Sequence, residues 1–70
     1  MKYLVVIEKT KTGYSAYLPD LPGCVAADST RARVERAMQS AIELHLSGLR
    51  AEGKRAPAAR ASSAYVEPRR

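Results

Sequence analysis

A chain of 70 residues, 46% hydrophobic, with a formal net charge of +5, makes one small globular domain at most. It has no apolar run near the roughly 20 residues a membrane span requires. The apolar stretch after Met1 is too short for a signal peptide, and the lone Cys24 permits no internal disulfide. The protein is therefore expected to be cytoplasmic, with no membrane partner.

In chain order, residues 2–8, KYLVVIE, read as a β-strand with Tyr3, Val5 and Ile7 on one face and Leu4 and Val6 on the other. Because both faces are apolar, this strand is expected to be central, or to have its second face covered by a partner. KTKTG, residues 9–13, reads as a hairpin loop. YSAYL follows as a second strand, with Tyr14, Ala16 and Leu18 on one face and Ser15 and Tyr17 on the other. PDLPG then reverses the chain. Pro22 and Gly23 suit the central positions of a type II turn, where proline presets φ and glycine accepts a positive one. Residues 24–27 form a third short strand.

Asp28, Ser29 and Thr30 are all N-cap residues, and the long helix after them carries Val34, Met38, Ala41, His45 and Leu49 at helical spacing. Leu44 and Leu46 fall on the two borders of that stripe. A helix apolar over more than half its girth points to a second contact surface beyond the sheet. Gly53 is placed as the C′ residue and Pro57 as the stop. The domain core thus spans residues 1–53. Residues 54–63, KRAPAARASS, read as a flexible linker, and 64–70 as a candidate final strand, AYVE, with a basic tail. The expected architecture is α+β, a three- to four-stranded antiparallel sheet with one long helix on one face, in the order β-β-β-α-β.

YSAYLPDLPGCVA, a threonine-started helix and AIELHLSGLRAEGK together resemble the HicB family of antitoxins, over roughly residues 2–67. The resemblance implies a partial RNase H-like unit. It further implies a non-enzymatic function: binding and occluding a HicA-like toxin, a small ribonuclease that cuts messenger RNA. The chain departs from the family in overall charge, since family members are often acidic, matching basic toxins, and this chain is basic, and in two ways at the start of the helix. Asp28-Ser29-Thr30 replaces the usual Gly-Asp-Thr, and Arg31 and Arg33 stand where the family carries acidic residues. The first of these two keeps a capping hydroxyl; the second opposes the helix macrodipole by a few tenths to about 1 kcal/mol per charge.

The seven acidic residues include no mid-strand carboxylate in the first strand and are not expected to converge on a two-metal nuclease site. His45, without companion ligands, reads as a half-buried packing residue, and Cys24, directly after a turn glycine, as a small core residue. No cofactor or metal is expected. Pro19, Pro22 and Gly23 are assigned to the structural turn. Between them, Asp20 and Leu21 are expected to be displayed, either as plain members of the structural turn or as a recognition tip, and with Tyr17 they are the candidate toxin contacts. Leu4, Val6, Leu44 and Leu46 are the candidate interface for a homodimer or larger assembly, since a chain this short buries only about 60% of its unfolded surface. Two other readings stand beside the antitoxin. One is a small RNA-binding module using Tyr3, Tyr14 and Tyr17 as stacking groups; the other is an orphan oligomeric domain of the same fold with another protein partner. Arg50, Lys54, Arg55, Arg60, Arg69 and Arg70 crowd into the last third, as in a solubilising tail. Residues 54–70 hold too few large apolar side chains for a second packed helix. Sequence-specific DNA binding by this chain alone is therefore not expected.

Overall fold

A computed structural model describes residues 2–69; Met1 and Arg70, the latter counted above with the basic tail, lie outside it. Three strands, β1 (Val6–Lys9), β2 (Tyr14–Tyr17) and β3 (Val25–Asp28), precede one helix, α1 (Arg31–Ala51). The strands form an antiparallel sheet in the order β1-β2-β3. Rows of facing residues run straight across it: Ile7, Ala16 and Ala26 on the helix side, and Val6, Tyr17 and Val25 on the open side. No helix among the described residues is long and apolar enough to cross a membrane.

The meander makes β2 the central strand, so β1 is an edge rather than the centre of the sheet. Its double-sided apolarity has a different cause. Tyr3, Val5 and Ile7 pack against the rim of the core, while Leu4 and Val6 are half-buried. The helix packs chiefly on β3 and less on β2, leaving β1 largely uncovered. The core is correspondingly small: Ala16, Leu18, Leu21, Cys24, Val34 and Met38, with Ala41, Ile42 and Leu46 packed around it. Leu46 therefore belongs to the border of the chain's own core, whereas Leu44, two residues earlier and about 160° away from it around the helix, is 76% exposed.

Both helix ends follow from local chemistry. Thr30 is extended, at φ −129°, and its Oγ1 accepts the Arg33 N–H at 3.1 Å, which satisfies one of the orphan donors of the first turn. At the other end Gly53 sits at φ 73°. Its N–H donates to the Arg50 carbonyl at 3.0 Å, and the Lys54 N–H donates to that of Leu49 at 2.9 Å. This is the paired bonding of a Schellman motif, whose left-handed residue favours glycine. Beyond it, residues 54–69 form no helix or strand. The expected strand at 64–67 is absent, and Tyr65 and Val66 are fully and 83% exposed. Two bulky residues flanked by small and polar ones bury too little area to offset the entropy of ordering the segment.

Gly13 is required where the β1–β2 loop meets the end of β3. A Cβ there would stand 2.3 Å from the Asp28 carbonyl oxygen and 2.8 Å from the Ser29 Cα. Both obstacles are backbone, so relief needs the loop itself to move. Gly13→Ala is expected to destabilise the fold by about 1–3 kcal/mol, as overpacking does, measured by urea denaturation. Gly48→Ala, which meets nothing within 4 Å, is expected to be neutral or mildly stabilising.

Candidate functional site

PDLPG forms two linked turns. The Leu21 N–H donates to the Leu18 carbonyl at 3.2 Å and the Cys24 N–H to that of Leu21 at 3.1 Å, while the Leu18 N–H closes the loop onto Cys24 at 3.1 Å. Each turn has proline at its second position, Pro19 in one and Pro22 in the other. Gly23, at φ 87°, completes the type II geometry read from the sequence.

Leu21 is the shared residue of the two turns, and it is completely buried. The expectation that it is displayed at a tip is thus corrected. Two successive reversals fold the loop back over the sheet end and drive the side chain between them into the core. Asp20 is half-buried and also engaged: its Oδ2 accepts the N–H groups of Arg60 and Ala61, each at 3.1 Å. Nearby, the Tyr3 hydroxyl donates to the Pro57 carbonyl at 2.6 Å. The segment 54–63, expected to be a flexible linker, is therefore a strap clasped at two points. These contacts span 40 to 54 residues in sequence, and no local pattern announces them.

Of the remaining candidates, Tyr17 is 44% exposed on the open face of the sheet, beside Val25 at 65%. Tyr3 and Tyr14 pack against the core on the other face, so the three tyrosines form no common stacking platform. Leu4 lines a groove of about 410 Å³ between β1 and the helix, together with Tyr3, Ile7, Met38, Ile42 and Glu35. A second groove, about 320 Å³, lies along β3 and is lined by Gly23, Cys24, Val25, Ala41, Leu44 and His45. Sequence reasoning saw no base near Cys24, yet His45 borders the same groove. Cys24 is nonetheless buried, and desolvation pushes its thiol pKa up, the opposite of an activated thiolate. Among the described residues, no group of three or more His, Cys, Asp or Glu side chains is placed to hold a metal ion. A third groove, about 590 Å³, lies where the strap leaves the helix and is lined by Tyr3, Ile42, Leu46, Arg50, Lys54 and Arg55.

Residues 3–68 match the family described as HicB-like antitoxin of bacterial toxin-antitoxin systems, and the chain belongs to that family. The fold agrees with this. It superposes on a chain of a solved HicA3 and HicB3 toxin-antitoxin complex with a TM-score of 0.60 at 32% identity, covering 77% of this chain and 66% of that one. The chain is also 30% identical over 66 residues to an uncharacterized 14.9 kDa protein from the rep-hol intergenic region of Haemophilus phage HP1. It is 43% identical over 47 residues to a UPF0150 protein of Helicobacter pylori strain J99. These alignments cover 94% and 67% of this chain but span 50% and 65% of the relatives' own lengths.

Leu21→Ala is expected to cost about 2–5 kcal/mol, the range for truncating a fully buried leucine, read from denaturant unfolding. Asp20→Ala should leave the core intact but free the strap, seen as faster tryptic cleavage after Arg55 and Arg60 than in the wild type.

Proposed function

We propose that this chain is an antitoxin that binds a HicA-like ribonuclease and neutralises it by covering its active site, without catalysis of its own. The observation that carries this reading is the family match over nearly the whole chain, supported by likeness to a chain from a toxin–antitoxin complex. The surface suits binding. Tyr17 offers a large, fairly rigid amphipathic group on an uncovered sheet face, and Asp20 offers a carboxylate that a basic partner can engage in place of the strap. Leu21 acts from beneath, by holding that loop in shape. We propose further that the chain acts in the cytoplasm and that its small core is completed by self-association.

Co-expression tests the reading directly. A HicA-like toxin that arrests growth should be neutralised by this chain, and the purified pair should co-elute with RNA cleavage suppressed. Unrelieved arrest with both proteins present in soluble form would refute it. Tyr17→Ala should weaken toxin binding by about 10-fold or more if it is an anchor residue.

A second expectation concerns DNA. Residues 54–69 form no helix, so the chain alone should bind a promoter fragment and a scrambled one alike at about 150 mM salt, where non-specific affinities are typically only 10⁻⁴ to 10⁻⁶ M. A preference above roughly a hundredfold for the promoter would show specific readout instead.

A further inference from the structure

Tyr17, Val25 and Leu44 are the large hydrophobic side chains that the folded body, as distinct from the tail, leaves exposed. They are contiguous. Val25 and Leu44 line one groove, and Tyr17 stands directly opposite Val25 in the sheet. The apolar surface therefore wraps from the helix around β3 onto the open sheet face.

β3 is also a free edge. The Leu18 N–H bonds the Cys24 carbonyl, so Cys24 turns its polar groups toward β2. By the alternation of an antiparallel ladder, Val25 and Ala27 turn theirs outward. Natural edges are commonly protected by lysine, proline or a bulge. β1 has Glu8 and Lys9, and its groove carries Arg31 and Glu35, whereas the one charged residue of β3 is Asp28 at its end. Nothing comparable stands at Val25 to Ala27, and the six residues lining the β3 groove include no Lys, Arg, Asp or Glu.

We infer that the β3 edge and the groove beside it take a second copy of the same chain, with β3 pairing antiparallel to its twin and the two helices packing side by side, which leaves Tyr17 uncovered on the open face. The inference sharpens the self-association proposed above and does not depend on the toxin. Two arguments favour a second copy over another occupant. The first is charge. Copies carrying +5 each repel, and the face free of cations is where they approach without desolvating like charges.

The second is geometry. The helix lies over β3 and β2, so its axis is inboard of β3 by about half a strand spacing, and a dyad between paired β3 strands is outboard by the same amount. With strands about 4.8 Å apart, the two helix axes fall roughly 10 Å from each other, within the 8–10 Å of packed helices. The small residues Ala41 and Gly48, the latter with open space around it, flank Leu44 and admit a neighbouring helix. The same construction at β1 leaves the axes roughly 19 Å apart, with a gap over the dyad that no side chain fills.

The test is the mass of the purified chain at tens of micromolar, with amide exchange as a second readout. Wild type should show twice the 7.6 kDa chain mass, with the Val25 and Ala27 amides slowed at least about 100-fold relative to free amides. Leu44→Arg and Ala27→Pro should each read as the single chain, and Leu4→Arg should remain a dimer. Ala27→Pro removes only an outward N–H and decides the matter if Leu44→Arg loses its helical signal. A monomeric wild type would overturn self-association altogether. A dimer that survives Ala27→Pro, with fast exchange at Val25 and Ala27, would overturn this surface while leaving self-association standing.

Discussion

Leu21 in its socket is the contact on which the rest of this small domain depends. Among the described residues the core holds six buried side chains, and Leu21, Val34 and Met38 are its largest fully buried ones. Leu21 comes from a loop, Val34 and Met38 from the helix, and Ala16 and Leu18 from the end of the central strand. One leucine thus ties the loop into the cluster where helix and sheet meet. Its position is enforced from outside by Pro19 and Pro22, which restrict the unfolded chain as well as the folded one, and by Gly23, which accepts the positive φ of the second turn. A domain of this size cannot spread such a role over many residues, because its buried volume is too small.

Much of the architecture was legible in the sequence because it rests on local rules. Pro22-Gly23 specified a type II turn, Thr30 a helix start and Gly53 a helix stop; each is a backbone geometry that few residue types satisfy. The alternation in YSAYL placed Ala16 and Leu18 inward. The missed features are those that local rules do not reach. A leucine between two prolines reads as a tip when the turns are taken singly, and only their linkage turns it inward. Of the two readings of the two-faced apolar strand, a central position or a face covered by a partner, the first fails because a meander fixes the middle strand by order alone. The strap depends on Asp20 and Tyr3 finding backbone groups 40 and 54 residues away, which no periodicity encodes.

The same division applies to the candidate site. Turn chemistry and apolar patterning nominate its residues, and the structure gives the exposure of each. Tyr17 and Leu44 stay exposed, Asp20 is held by the strap, Leu46 is half-buried at the border of the core, and Leu21 is fully buried. Leu46 is nominated by its place on the border of the apolar stripe and Leu21 by its place between two rigid turn residues, and apolar residues serve interfaces and cores alike. Exposure distinguishes the two, and exposure is a tertiary quantity.

The strap has one more consequence, for the geometry of anything joined to the chain beyond it. After α1 the backbone does not continue along the helix axis. It bends at Gly53, passes Tyr3 and is caught at Asp20, so it leaves the domain beside the PDLPG loop. A tag, fluorophore or fused module placed after residue 61 is thereby tethered within a few residues of that loop, at an effective concentration in the millimolar range for a short linker. Even a weakly attracted appendage would then compete in cis with a partner arriving from solution. The choice of terminus for a fusion is therefore a choice about what occupies that end of the sheet.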